Sequence, residues 1–316
     1  MEQQDQLLCS TLTHLPPAER IEAALHRAVD TLRPPACPPR LAEAVRHAVF
    51  PAGGRLRPQL LLAVARASGE DLPGLSDAAA AAIELLHCAS LVHDDLPCFD
   101  AAAERRGRPS VQRAFGEGLA VLAGDALIVA AFETLAQSAA SASLAAARLP
   151  QVLRLVAAGV GPVGGIVAGQ AWEAEPTVDL EHYHRAKTGA LFEAAVLAGA
   201  AVAGADHAAW AGVGLRLGAA YQIADDIADV LADPKRLGKP VGRDRQLDRP
   251  SAVRRLGIED ATRLLNTRLE EALAAIPACG GRENLCVQIS QMAAKPLRGL
   301  RAGGPSLREP AVRHHA

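Results

Sequence analysis

Apolar residues recur at three- and four-residue spacing along nearly the whole chain, and the strict alternation of a half-buried strand is almost absent. Such a chain is restricted to packing helix on helix. Pro17 precedes "AERIEAALHRAVDTL", with acids early, which predicts a helix start. "PPRLAEAVRHAVF" predicts a second helix ending near Pro51, and "RPQLLLAVARASG" a third, closed by Gly69. "SDAAAAAIELLHCASLVHDD" opens on Ser76 and Asp77, read as a cap; it is apolar nearly all round and is expected to run through the core. Comparable helical segments are expected over 109–137, 140–158, 164–173, 181–204, 206–232 and 258–275. No break between them has the composition of a domain linker, and no internal repeat recurs. The reading is one all-α domain, 15–297, followed by a mobile Gly/Pro/Arg-rich tail, 298–316, whose His314 and His315 are solvated.

Composition narrows the function. Half of the 316 residues are hydrophobic but only 3% are aromatic, and alanine dominates, so helices pack closely through small side chains. A formal net charge of −2 leaves no global basic field for nucleic acid. An anionic ligand must therefore be met by local clusters. The start, "MEQQDQLLCSTLTH", lacks the basic and apolar regions of a signal peptide. The longest uncharged run, Leu155 to Trp172, is broken by Pro162, Gly164 and Gly165, so no membrane span is expected. The six cysteines (Cys9, Cys37, Cys88, Cys98, Cys279 and Cys286) show no CxxC or zinc spacing and are read as reduced thiols of a cytoplasmic protein.

Two carboxylate clusters stand out against this background. In "YQIADDIADV", Asp225 and Asp229 are four apart and share a helix face, with Asp226 beside them. Like charges at that spacing on an apolar helix need compensation, although a solvated helix face is the bland alternative. In "LVHDDLPCFD", Pro97 stops the helix, which puts Asp94 and Asp95 in its last turn and Asp100 in a loop folding back beside them. Negative charge at a helix C-terminus opposes the helix dipole, so structure alone is a poor reason for it. Oxygen ligands gathered there suit Mg²⁺, which takes one or two carboxylates and completes its octahedron with water and phosphates. Basic residues follow the acids: Arg105, Arg106 and Arg108 in "ERRGRPS", Lys187 with Thr188 in "AKTGALF", Lys239 and Arg243 in "LGKPVGRD", Arg249 in "LDRPS", and Arg55 and Arg57 in "GGRLRP". Each alone reads as a surface charge. Flanking two aspartate clusters, they suggest a polyphosphorylated, magnesium-bound ligand, and the alanine- and leucine-lined helices suit an apolar tail.

With "DDLPCFD" and "DDIAD" in order, the chain resembles the trans-polyprenyl (isoprenyl) diphosphate synthases over about 40–275, and looks closest to bacterial geranylgeranyl diphosphate synthases of pigment pathways. The resemblance implies a single-domain helical bundle around a deep central cavity, usually a homodimer. It implies an allylic diphosphate held through three Mg²⁺ ions by Asp94, Asp95, Asp100, Asp225, Asp226 and Asp229, with Arg105, Lys187 and Lys239 adding charge. Isopentenyl diphosphate is then expected on Arg57, His87 and Arg106, with Thr188, Gln222 and Gln170 beside the reacting carbons. The small Ala89 and Ser90, above Leu85 and Leu86, imply a twenty-carbon product, geranylgeranyl diphosphate.

The chain also departs from the family. Gly54 in "AGGRLRP" stands where the family carries a lysine for isopentenyl diphosphate, and Arg55 is expected to take over part of that work. Ala101 to Ala103 replace a polar run, and Arg249 replaces a lysine. A terpene cyclase shares the first motif but carries a different second one. A non-catalytic regulatory subunit of a synthase typically loses aspartates and carries CxxxC pairs, whereas this chain keeps six aspartates and has none. A farnesyl diphosphate synthase is the nearest alternative product class.

Overall fold

The computed structural model of the protein describes residues 15–50, 53–140, 142–177, 179–231 and 251–297. Lys239, Arg243, Arg249 and the tail 298–316 lie outside the described residues. The helices run in chain order as α1 (Pro17–Asp30), α2 (Pro39–Val49), α3 (Leu56–Ala67), α4 (Pro73–Asp94), α5 (Val111–Phe115), α6 (Glu117–Ser138) and α7 (Ser143–Val160). They continue as α8 (Ile166–Ala171), α9 (Leu180–His184), α10 (Ala190–Val202), α11 (Val213–Leu231), α12 (Ala252–Leu256), α13 (Ile258–Ala274) and α14 (Arg282–Ala294). Short 3₁₀ turns and one π segment, Arg185–Gly189, join them. Between α4 and α5 runs a small antiparallel hairpin, β1 (Glu104–Arg105) with β2 (Arg108–Pro109). The all-α expectation holds, and α14 adds a helix that the periodicity analysis did not single out.

Proline opens α1, α2 and α4, where its missing N–H costs nothing. The Ser76–Asp77 cap is corrected: α4 begins at Pro73, and both residues lie inside the helix, buried. Asp77 instead accepts from Arg20 Nε of α1 at 2.7 Å, so a core ion pair overrides the local capping preference.

Helix α4 is the spine. Ala78 to Leu86 are all buried, each Ile or Leu among them contributing about 1.5–3 kcal/mol of transfer free energy. Helix α6 packs along it through Ala120, Ala123, Leu127, Ala130 and Ala131, within the same core cluster. Helix α10, buried nearly all round, joins this core to a second one formed with α3, α11 and α14. The ends of α4 and α11, which carry the two aspartate clusters, are both held against the α8–α10 region. The five described cysteines are all unpaired. Leu155–Trp172 is broken as expected, α7 ending at Val160 and α8 starting at Ile166.

Candidate active site

At the C-terminus of α4 the chain turns back on itself. Asp100 N–H donates to the Asp94 carbonyl at 2.9 Å and Ala101 N–H to that of Leu96 at 3.0 Å, so the loop after Pro97 returns to the helix end. Asp94 is 7% exposed. Its Oδ1 accepts from Gln170 Nε2 of α8 at 2.9 Å and lies 3.7 Å from Lys187 Nζ. Burial pushes the Asp94 carboxyl up from the ordinary aspartate range, against the pull of Lys187 and Gln170, while Asp100 and Glu173 add to the rise. Gln170 also donates to the Ser90 carbonyl at 3.2 Å and so spans one turn of α4.

Lys187 and Thr188 lie in the π segment, whose widened turn displaces side chains from α-helical register. Two glycines permit its close packing. A Cβ on Gly169 would come within 2.5 Å of Lys187 Cα, and one on Gly218 within 2.7 Å of Gly189 Cα. Lys187 is also paired with Glu173, which accepts from Tyr183 Oη at 2.7 Å. Thr188 Oγ1 donates to Gln222 Oε1 at 3.0 Å, and Gln222 Nε2 donates to Asp226 Oδ1 at 3.0 Å. The first aspartate cluster is thereby linked through Lys187, Thr188 and Gln222 to the second.

Within the second cluster, Asp225 is half-buried, while Asp226 and Asp229 are 4% and 8% exposed. Asp226 Oδ2 accepts from the Ala252 N–H at 2.7 Å. The Asp226 carboxylate, expected among the metal ligands, thus also holds Gln222 and the start of α12, while Asp225 and Asp229 form the i,i+4 pair. Asp226 and Gln222 also border a cavity of about 450 Å³ that continues past Leu264 of α13. Leu85, Leu86 and Ala89 do not border it; they lie in the main core at 0%, 3% and 2% exposure, and Ser90 is half-buried.

A second face of α4 meets arginines. Asp95, 2% exposed, pairs with Arg105 of the hairpin, whose Nη2 lies 2.5 Å from Oδ1. The pairing Arg105↔Arg108 leaves Arg106 and Gly107 as a two-residue turn, with φ of 54° and 72°. Arg57 Nη1 lies 3.3 Å from His87 Nε2, and the guanidinium sits 4.6 Å from the centre of the Phe192 ring. Since arginine only donates, Nε2 is the acceptor and the His87 proton resides on Nδ1. Burial, reinforced by Arg57 and Arg106, holds His87 well below its usual pKa, consistent with the neutral ring. Arg57 Nε is buried and has no hydrogen-bond partner among the described residues.

Arg55 requires correction. It is 5% exposed, with Nε on Glu22 at 2.9 Å, Nη1 on Glu84 at 2.7 Å and Nη2 on the Val49 carbonyl at 2.9 Å. Its donors are directed at these groups, so it is a structural residue and does not substitute for the lysine absent at Gly54. The sequence reading passed over Glu84 and Glu173. Glu84 had a signal, a lone acid in the apolar run "AAAAAIELLHCAS", which demands a buried partner.

Among the described residues, no three acidic, histidine or cysteine side chains form a ready-made metal cage. Magnesium fits this arrangement nonetheless, because it takes few protein carboxylates per ion and fills its sphere with water and phosphate. Asp94 and Asp100 at the end of α4, and Asp225 and Asp229 on α11, are hard-oxygen donors of the kind it takes.

A helical bundle with two linked aspartate walls beside arginine and lysine clusters defines an enzyme of the isoprenoid-synthase fold class. The chain belongs to the polyprenyl synthetase family, whose model matches residues 38–289. It is 50% identical to a geranylgeranyl diphosphate synthase of Cereibacter sphaeroides over 88% of this chain and 95% of that protein. It is 48% identical to one of Rhodobacter capsulatus, with the same coverage of both chains. Among solved structures, it matches a geranyltransferase from Helicobacter pylori complexed with magnesium and isoprenyl diphosphate. There the TM-score is 0.73 and the identity 28%, covering 89% of this chain and 98% of that one.

Proposed function

We propose that the protein is a magnesium-dependent, short-chain trans-prenyltransferase that joins isopentenyl diphosphate to an allylic diphosphate and releases geranylgeranyl diphosphate. The observation that carries this reading is the chain of contacts between the aspartate clusters, an ion pair of Asp94 with Lys187 and hydrogen bonds from its neighbour Thr188 through Gln222 to Asp226, with Arg57, His87 and Arg106 beside the neighbouring face of α4. Three Mg²⁺ ions held by Asp94, Asp100, Asp225, Asp226 and Asp229 would supply the charge that stabilises a departing diphosphate.

The chain's own residues have distinct tasks. Lys187, oriented by Asp94 and Glu173, presents an ammonium to the allylic diphosphate. As the allylic C1–O bond breaks, the leaving diphosphate takes the electron pair. The side-chain oxygens of Thr188 and Gln222, fixed on one another, face the positive charge that develops on C1. Arg57, His87 and Arg106 hold the second diphosphate so that the alkene of isopentenyl diphosphate forms the new bond from its C4 to C1. The cation left on C3 loses a proton from C2, which the departed diphosphate accepts. No protein nucleophile takes part.

A homodimer is part of the proposal. Val121, Leu122, Ile128 and Val129 of α6 are 43%, 52%, 37% and 64% exposed and surround the exposed Asp125 on one helix face, a largely apolar surface suited to a second copy. Helices α4 and α6 are long and apolar enough to cross a membrane. Because α4 is core and α6 has this interface role, we place the protein in the cytoplasm. Incubating the purified chain with isopentenyl and farnesyl diphosphates and Mg²⁺, and measuring product length, tests the activity. A twenty-carbon diphosphate is expected; turnover only after addition of a synthase partner would make the chain a regulatory subunit instead.

A further inference from the structure

Glu84 is 1% exposed in the middle of α4, three residues before His87 and on the face of the helix that meets the arginines. One carboxylate oxygen, Oε1, accepts from Arg55 Nη1 at 2.7 Å and lies 3.7 Å from Arg106 Nη2. Arg55 has a second acid in Glu22 and a carbonyl in Val49. For Arg106, Glu84 is the acid in ion-pair range among the described residues. Two further constraints act on Arg106. Its backbone is held left-handed by the two-residue turn, and its guanidinium lies over Gly53, where an added Cβ would come 2.7 Å from Cζ. The Arg106 side chain as a whole remains 24% exposed. A buried carboxylate is costly in an alanine-rich helix unless paired, and removing it would leave its buried cationic partners uncompensated.

Resting on the assignment of Arg106 to isopentenyl diphosphate, we propose that Glu84 is a positioning residue: it touches no substrate and fixes the Arg106 guanidinium, together with the Arg55 loop, in the geometry that receives this second diphosphate. The expected signature is a selective KM effect, because the allylic diphosphate is assigned to the other face of α4, at Asp94 and Lys187. Glu84→Gln keeps an acceptor for Arg55 but removes the charge that holds Arg106. It should raise the KM for isopentenyl diphosphate about tenfold and leave the allylic KM within about twofold. Glu84→Asp retains the charge and should bring the KM for isopentenyl diphosphate back to within about threefold of wild type. Asp77→Asn, which breaks a buried pair elsewhere on α4, is the control that should lower the melting temperature without moving either KM. If Glu84→Gln does not fold, Gly53→Ala displaces the same guanidinium sterically while leaving the carboxylate, and should raise the same KM. The proposal is overturned by an unchanged KM for isopentenyl diphosphate in whichever of these two variants folds, by equal effects on both substrates, or by no rescue in Glu84→Asp. Loss of all activity in an assay of the wild-type chain would instead overturn the assigned reaction.

Discussion

Gly54→Lys tests the charge balance of the second diphosphate site. Gly54 is exposed, its φ lies outside the left-handed range, and an added Cβ would meet only Leu56 Cγ at 3.6 Å, an ordinary contact. The substitution therefore installs without strain, and removing a glycine from the unfolded chain adds about 0.4–1 kcal/mol of stability. Arg55 cannot already supply the missing charge, because Glu22, Glu84 and Val49 hold its donors. Another cation is nearby: Lys295 Nζ donates to the Gly54 carbonyl at 3.1 Å. A new charge-assisted contact is worth about 1.5–3 kcal/mol, or tenfold and upward in affinity. Exposure of the site, and repulsion from Lys295, hold the gain near the lower limit, about tenfold. The assay is the KM for isopentenyl diphosphate at saturating farnesyl diphosphate, repeated at rising salt, where the gain should shrink. Because Lys295 opposes the new ammonium, Gly54→Lys combined with Lys295→Ala should gain more than Gly54→Lys alone. An unchanged KM for isopentenyl diphosphate, or an equal fall in both substrates' KM values, would refute the reasoning.

Asp94→Ala and Asp225→Ala should each cut kcat by about 10²–10³ or more while circular dichroism stays helical, and EDTA should abolish wild-type turnover; full activity in any of these arms contradicts the magnesium reading. Ala89→Tyr should shorten the product from twenty to fifteen carbons, and because Ala89 is 2% exposed in the core it should also cost about 1–3 kcal/mol in a denaturant melt. His87 has a folded pKa depressed well below its usual value, so the unfolded chain binds a proton that the folded one refuses as pH falls. Its stabilising contribution is therefore full above about pH 6.5 and declines below it, and His87→Gln should flatten the fall in melting temperature on acidification. Val129→Arg, on the exposed stripe of α6, should convert dimers to monomers in sedimentation with little change in the monomer's helicity.

Much of the fold was legible because it depends on a periodic signal. Apolar spacing located α1 to α4, and Pro97 correctly announced the loop that brings Asp100 back to Asp94. Features set by tertiary contact were not legible. Ser76 and Asp77 have the local chemistry of a cap, but Arg20, distant in sequence, draws Asp77 into the core. The π segment at Arg185–Gly189 adds a residue to one turn, which leaves no mark in the composition of "RAKTG".

The arginines show most clearly where spacing stops being informative. Arg55 and Arg57 flank one leucine and look interchangeable as phosphate binders. Arg55 has φ of 47° at the N-cap of α3, and its guanidinium is directed at Glu22 and Glu84. Arg57, in the first turn of that helix, meets neutral His87 and the face of Phe192, with its Nε unpartnered among the described residues. Of the two cations, Arg57, which has no carboxylate at ion-pair distance among the described residues, is the one proposed to receive an anion. The same accounting separates Asp95, neutralised by Arg105, from Asp94, which among the described residues pairs with Lys187 at 3.7 Å, a cation shared with Glu173. Among the described residues, charge of each sign is thus left incompletely compensated on the two faces of α4, negative at Asp94 and positive at Arg57, as the proposed cation and diphosphate sites require.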